Sequence, residues 1–421
     1  MESASKPLTI LSIETSCDET ALSVLQVSGT STPHFTILSN ELVSQIDIHR
    51  EFGGVFPAIA KREHAKAIFP LFIKALADAG LHKEGTTLIS EAQSETITTL
   101  FTHEQELCTL FIKELSHVEK PDIDCIAVTT GPGLEPALWV GVNFARALSY
   151  IWNIPIVPVN HMEGHVMSVI AQKNGNTFEG ADIAFPALSL LVSGGHTELV
   201  LIRDWMHYEK IGQTKDDAVG EAFDKVARMI GLPYPGGPEI SKLAHQAREE
   251  KLTPDFEFPR PMMHSGDYSF SYSGLKTSAL YWLRDHKLSA AHVNPLAGLP
   301  SGLLGTQNEP PTLEDFCTSF EQAIVDVLVG KTLKAAREYK PKSILLVGGV
   351  SANRKLRETL DLSIQSELPG TIFLPSVGGY SMDNGAMIAV AGYYKLLKHG
   401  ATPWQDLDVD PNWRVDAKFR E

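Results

Sequence analysis

The chain has 421 residues, 43% hydrophobic and 21% charged, which is ordinary globular usage and excludes a disordered or collagen-like protein. Fifty-one acids against 36 bases leave a net charge of −15, which argues against a generic nucleic-acid coat while leaving room for a local basic groove. The length points to two or three domains, and the four cysteines (Cys17, Cys108, Cys125, Cys317) form no CxxC pair, so a reducing compartment is expected.

The opening residues show no signal or Arg-rich transit pattern. The most apolar stretch, 183–192, is half of the ~20 residues a membrane span needs, so a cytoplasmic protein without membrane contact is expected. Leu8 to Ile13 reads as a strand, 14–19 as a polar turn and Ala21 to Val27 as a second strand. Apolar residues at helical spacing from Val55 to Ala79 predict a long helix. A strand at 123–128 runs into the turn Gly131-Pro132-Gly133. A helix at 136–151, a strand at 154–159 and a helix at 161–171 follow.

The second half opens as the first does. A strand at 187–192, the polar turn 193–197 and a strand at 199–202 repeat the strand–turn–strand pattern about 180 residues later. Helices at 218–230 and 316–339, a strand at 343–347, a glycine turn opening a further helix, and a last helix at 384–398 complete an α/β reading. Two duplicated α/β halves would place their turns around an interdomain cleft, where ligands favour binding. The expected division is 1–175, with an insertion at about 82–120; 176–397, with a helical excursion and an insertion at about 286–311; and a polar tail, 398–421. Both insertions read as surface excursions.

His161 and His165 stand at i and i+4, where two imidazoles on one helix face can reach one cation, and Asn160 is placed to cap that helix. Fifteen histidines produce such a pair by chance about 0.5 times, so the pair alone is weak evidence. Glu163 lies two residues after His161, off the shared face and badly placed as a protease base. Three glycine-bearing turns occur: 193–195, 235–238 and 348–353. Glycine lets backbone N–H groups approach phosphate closely, and a helix N-terminus favours the anion. No GxxxxGK[ST] is present, so a P-loop is excluded.

Ten segments then occur in order: IETSCDET from Ile13, GGV from Gly53, TGPGL from Thr130, NHMEGH from Asn160, LVSGGHT from Leu191, GEAFD from Gly220, YPGGP from Tyr234, SGLKT from Ser273, GGVSAN from Gly348 and MDN from Met382. Together they resemble the bacterial branch of the TsaD family, the tRNA N6-adenosine threonylcarbamoyltransferases, over about residues 8 to 397. The resemblance implies the duplicated fold of actin, heat-shock ATPases and sugar kinases (ASKHA), in two lobes. It implies transfer of the threonylcarbamoyl group from threonylcarbamoyl-AMP to N6 of adenosine 37 in the anticodon loop of tRNAs reading codons that begin with A. It further implies one divalent metal, Fe2+ or Zn2+, on His161, His165 and Asp383. The adenylate is expected between the halves, on Leu191, Val192, Ser193, Gly194, Gly195, Asp224, Gly237 and Asn353. Partner subunits are implied: a paralogue of the same fold (TsaB-like) and a P-loop ATPase (TsaE-like).

Asp18 and Glu19, in the first turn, are the candidates to accept the proton lost by the attacking amine. Phe52, Ala58, Ser381 and Met382 depart from the family pattern beside the site motifs rather than on ligand positions. An ATP phosphotransferase is the main competing reading, but turn 193–195 lacks the acid that the related ATPases place there. A metalloprotease lacks a well-placed base, and a non-catalytic scaffold would not need both histidines and Asp383.

Overall fold

A computed structural model describes residues 6–29, 33–170, 177–179, 183–251, 254, 256–286, 312–376 and 378–417. Strand β1 (Leu8–Glu14) pairs antiparallel with β2 (Glu19–Ser28), from Leu8 opposite Val27 to Glu14 opposite Ala21. Strand β3 (His34–Ser44) pairs antiparallel with β2. A short helix α1 (Ile46–Arg50) precedes α2 (Pro57–Asp78), which starts on a proline where a missing N–H costs nothing. Helices α3 (Glu91–Leu100) and α4 (Gln105–Leu115) follow, then β4 (Cys125–Gly131), parallel to β1. Helix α5 (Glu135–Trp152) leads to β5 (Ile156–Asn160), parallel to β4, and β5 runs straight into α6 (His161–Met167). A short β6 (Thr177–Glu179) pairs with β3 and closes the order β5-β4-β1-β2-β3-β6. Apolar β4, buried along its whole length, suits a parallel strand covered on both faces.

The second sheet contains β7 (Ala187–Val192), β8 (Thr197–Asp204) and β9 (His207–Gln213). Helices α7 (Val219–Met229), α8 (Gly236–Glu249), α9 (Ser273–Asp285) and α10 (Leu313–Tyr339) follow. Strand β10 (Ser343–Val347), helix α11 (Arg354–Glu367) and strand β11 (Ile372–Pro375) complete it, with β7, β10 and β11 parallel. Its order is β11-β10-β7-β8-β9, strand for strand the order β5-β4-β1-β2-β3 of the first sheet. The duplication expected of the ASKHA fold is therefore present.

Contacts divide the chain into two units, 1–184 with 202–209 and 376–421, and 185–201 with 210–375. These boundaries replace the linear ones read from the sequence. The last helix, α12 (Gly385–His399), belongs to the first unit, where it packs on β1, β2, β5 and α6. The segment expected as a polar tail is also built into that unit. Thr402 N–H donates to Ile156 O (2.8 Å), Arg146 Nε to Trp404 O (2.9 Å) and Asp410 N–H to Thr130 O (2.8 Å), while Leu407 joins the core.

The first insertion is likewise no surface excursion. Ile97, Phe101, Leu107, Phe111 and Leu115 are buried in the same core as Phe69, Phe72 and Phe144. Phe111 packs edge-on against Phe69 and Phe144, with centroids 6.1 and 5.5 Å away. Its threonine-rich outer face supplied the polar composition that suggested exposure. Residues 287–311 of the second insertion lie outside the described residues. Strands β3, β9 and β11 were not expected from the sequence: β9, HYEKIGQ, is a half-exposed edge strand without alternation, whereas β3 does bury alternate residues, Phe35, Ile37 and Ser39.

Candidate metal centre and substrate loops

In the first unit, the chemistry-bearing residues gather at the carboxyl ends of the parallel strands β1, β4 and β5, the edge where α/β sheets place their sites. Asn160 ends β5 and caps α6, its Oδ1 accepting from Met162 N–H (2.9 Å) and Glu163 N–H (3.4 Å). His161 and His165 then share one face, with ring centroids 4.7 Å apart. Asp383 stands just before α12, whose first turn is capped by Asn384. Its Oδ1 lies 3.4 Å from His161 Nε2 and 3.2 Å from His165 Nε2. One ligand atom from each of the three falls within 4.8 Å of the others.

The approach of α6 to α12 depends on Gly164. A Cβ there would meet Ile388 Cδ1 at 2.8 Å and Met387 Cγ at 3.2 Å. Behind His161 lies Glu14, fully buried, a residue the sequence reading left without a role. Its carboxylate accepts from Ser16 N–H (2.6 Å) and Thr129 Oγ1 (2.6 Å), and its Oε2 is 2.9 Å from His161 Nδ1. An ionised carboxylate only accepts, so Nδ1 keeps a proton, and Nε2 is the nitrogen whose lone pair a cation on the Asp383 side would take in place of its proton, the orientation that carboxylates impose on metal-binding imidazoles. The signal was available as a buried-strand glutamate, but nothing in its spacing pointed to His161, which follows it by 147 residues.

Burial opposes charge on Asp383 and His161, yet the neighbouring charges win. Burial raises Asp383, but His161 and His165 outweigh it and hold its carboxyl below the usual range. Burial lowers His161, but Glu14 and Asp383 hold it well above the ordinary imidazole range. An imidazole between two carboxylates is a place that demands positive charge, and the donor set of two nitrogens and one oxygen fits a divalent cation. His165 Nδ1 is buried with no hydrogen-bond partner among the described residues, so that ring is oriented by packing and by the contact of its Nε2 with Asp383.

Asp18, in the turn after β1, and Glu19, the first residue of β2, are both buried. Ser44 Oγ donates to Glu19 Oε1 (3.3 Å), and burial, with Asp383 and Asp18 adding like charge, pushes Glu19 up to about 10. Burial and the same acids push the Cys17 thiol well above its ordinary value, so it is no thiolate nucleophile at neutral pH. The turn is buttressed from α2. His64 Nε2 lies 3.1 Å from Cys17 O, and its Nδ1 lies 2.7 Å from Thr20 Oγ1. Burial pushes His64 down to about 4, so it is neutral, donating from Nε2 and accepting at Nδ1.

In the second unit, three glycine turns meet at the carboxyl ends of β7 and β10. Leu191 and Val192 end β7, with Leu191 opposite Val347 in register. The turn 193–196 is closed by Ser193 N–H to His196 O (2.9 Å) and His196 N–H to Ser193 Oγ (3.1 Å), while Gly194 and Gly195 face open space. Gly348, at φ +88°, passes so close that a Cβ would meet Val192 O at 2.4 Å. Gly220 N–H donates to Ser193 O (3.2 Å), which sets the start of α7 on the first turn.

Asp224 on α7 accepts from Gly236 N–H (2.7 Å) and thereby holds the turn bearing Gly237 at the start of α8. Asn353 caps α11 through Leu356 N–H (2.8 Å), and its Nδ2 donates to Ser241 Oγ (2.8 Å) and Glu321 Oε1 (2.7 Å). Both residues thus hold the loops together, a duty the sequence did not reveal. Asp216 was missed altogether: it accepts from Tyr272 N–H (2.7 Å), Ser273 N–H (3.3 Å) and the Ser273 hydroxyl (2.7 Å), fixing the SGLKT segment.

Two basic clusters, Arg50, Lys61, Arg62 and Lys66 on and before α2 and Arg354, Lys355 and Arg357 at the start of α11, are the local groups that RNA phosphates could meet, and five of these seven pair with acids. Arg50 meets Asp47 (2.9 Å), Lys61 meets Glu104 (2.8 Å), Arg62 and Lys66 both meet Glu63 (2.9 Å), and Arg354 meets Glu358 (2.6 Å).

The model of the TsaD family, tRNA N6-adenosine threonylcarbamoyltransferase, matches residues 36–93 and 102–390. The chain is 40% identical over 402 residues to a protein of that name from Listeria monocytogenes serotype 4b (strain CLIP80459), covering 96% of this chain and 95% of that one. It is 40% identical over 415 residues to the one from Bacillus subtilis (strain 168), covering 99% and 98%, and 37% identical over 406 residues to the one from Anaeromyxobacter dehalogenans (strain 2CP-1 / ATCC BAA-258), covering 96% and 99%. With the duplicated sheet order and the ordered motifs already in place, this chain belongs to the TsaD family of tRNA N6-adenosine threonylcarbamoyltransferases.

Proposed function

We propose that the chain transfers the threonylcarbamoyl group of threonylcarbamoyl-AMP to N6 of adenosine 37 in the anticodon loop of tRNAs reading codons that begin with A, forming N6-threonylcarbamoyladenosine and AMP. The observation that carries the metal-assisted form of this reading is the convergence of His161, His165 and Asp383 ligand atoms within 4.8 Å. These residues would hold one divalent ion, Fe2+ or Zn2+, which when bound would polarise the carbamoyl carbonyl and offset charge on the departing phosphate.

N6 forms a bond to the carbamoyl carbon, the carbon–oxygen bond to phosphate breaks, and AMP leaves with that electron pair while N6 gives up a proton. The N–H groups of the 191–195 segment and the helix starts at Gly237 and Asn353 suit the adenylate, with Asp224 beside them. Asp18 and Glu19 are our proton acceptors. Burial, with the charges of Asp383 and Asp18, holds Glu19 protonated, and a cation held by Asp383 would offset one of those charges and shift Glu19 toward accepting a proton. A protease reading loses its base, because Glu163 is engaged by Lys395 (2.9 Å).

No helix among the described residues is long and apolar enough to cross a membrane, and we place the protein in the cytoplasm. The paired basic residues and the −15 balance support a need for partners, a paralogous ASKHA-fold subunit and a P-loop ATPase. The test is mass analysis of nucleosides from tRNA incubated with the protein, threonine, bicarbonate, ATP and the adenylate-forming enzyme, with and without those partners. Modified adenosine that vanishes in a His161→Ala variant is expected. An unmodified tRNA with all partners present would overturn the reading.

A further inference from the structure

Helix α6 has seven residues and carries both imidazoles of the metal centre. So short a helix does not hold itself, and its rotation about its own axis must be set by neighbours. At 3.6 residues per turn, Glu163 lies about 200° around the helix from His161, on the face away from the shared imidazole face. There its carboxylate meets Lys395 Nζ at 2.9 Å, with both side chains buried. Lys395 is on α12, three turns beyond Asp383. The same helix that is led in by the third ligand therefore grips the back of the helix that carries the other two.

The grip has a third member. Lys395 Nζ lies 4.2 Å from the centroid of the Trp413 ring. The Trp413 carbonyl accepts from Asn160 Nδ2 (3.0 Å), and Asn160 caps α6 through its other amide atom. Cap, back face and α12 are thus tied through one tryptophan. A buried ion pair costs desolvation and is a weak source of stability, but it specifies one arrangement over others because a rotated α6 would leave two buried charges unpaired.

We propose that Lys395, acting through Glu163 and seated on Trp413, is a positioning residue for the metal centre: it sets the rotation of α6 so that His161 and His165 both face Asp383. This rests on the reading of those three residues as metal ligands. The test uses the full chain and Zn2+ or Co2+ alone, in wild type, Lys395→Met, Lys395→Arg and the double variant Glu163→Leu/Lys395→Met, with melting temperature measured beside metal affinity and the visible Co2+ spectrum. The double variant leaves no buried charge unpaired, so it should fold even if Lys395→Met does not.

The expected result is a Zn2+ affinity roughly tenfold or more lower in the double variant, in the range found for residues that orient metal ligands, with an altered Co2+ spectrum and near wild-type binding in Lys395→Arg. A double variant that binds as tightly as wild type, or affinities that merely follow melting temperature across the series, would overturn the inference alone. A wild-type chain that binds neither ion would overturn the metal reading, and the inference with it.

Discussion

Glu14 gives the metal centre its directionality. Its carboxylate is held by Ser16 N–H and Thr129, and the remaining lone pairs orient His161. Glu14→Gln keeps the shape and removes the charge, so the imidazole loses its fixed tautomer. We expect a folded protein whose Zn2+ affinity falls by ~10–100-fold, read by chelator competition; unchanged affinity would remove Glu14 from the centre. His64 supplies a second test. Its folded pKa of about 4 is below the ordinary 6.5 because burial disfavours the imidazolium. The unfolded chain therefore binds a proton that the native one does not as pH falls from 6.5 to 4. The contribution is fully present above pH 6.5 and lost through that window, by about 3 kcal/mol. A His64→Gln variant should show a shallower fall in stability between pH 6.5 and 4, measured by urea unfolding; an identical slope would contradict the buried neutral ring.

Among the elements, α3 and α4 show how composition misleads. Their solvent face is polar and threonine-rich, yet Phe111 contacts Phe69, Phe101 and Phe144 in the central aromatic cluster of the first unit. Phe111→Ala should cost about 3–5 kcal/mol, the range for removing a well-packed core ring. Excision of 82–120 should leave the first unit unfolded, whereas a true surface excursion would be removed with its unfolding transition intact. The segment after α12 behaves alike: its backbone closes on β4, β5 and α6, so it acts as a structural element despite containing no strand or helix of its own among the described residues.

For the whole molecule, charge sets the encounter with RNA. A net charge of −15, with Lys61, Arg62, Lys66 and Arg354 already paired to acids, leaves little to replace phosphate counterions. The lone chain should bind tRNA weakly in filter-binding assays, and adding the partner subunits should raise both affinity and its salt dependence. Tight binding by the chain alone would show that a basic surface exists outside these clusters.

The sequence by itself determined the period-two and period-3.6 patterns, and with them most elements: β7 and β10 stand at the residues expected, and α2, α5, α7 and α12 within a few residues of expectation. It also determined the paired imidazoles, because i and i+4 share a face in any helix. These are local consequences of backbone geometry, and local spacing suffices to read them. Only the tertiary structure decided what lies far apart in the chain. Glu14 reaches His161 because parallel pairing puts β1, β4 and β5 in one sheet, and Asp383 reaches both histidines because Gly164 lets α12 settle on α6. Asp224 on α7 holds the start of α8, and Asn353 reaches beyond its own helix to Ser241 on α8 and Glu321 on α10. None of these partnerships leaves a periodic trace, since a carboxylate on a buried strand or a helix start reads the same whatever it will meet.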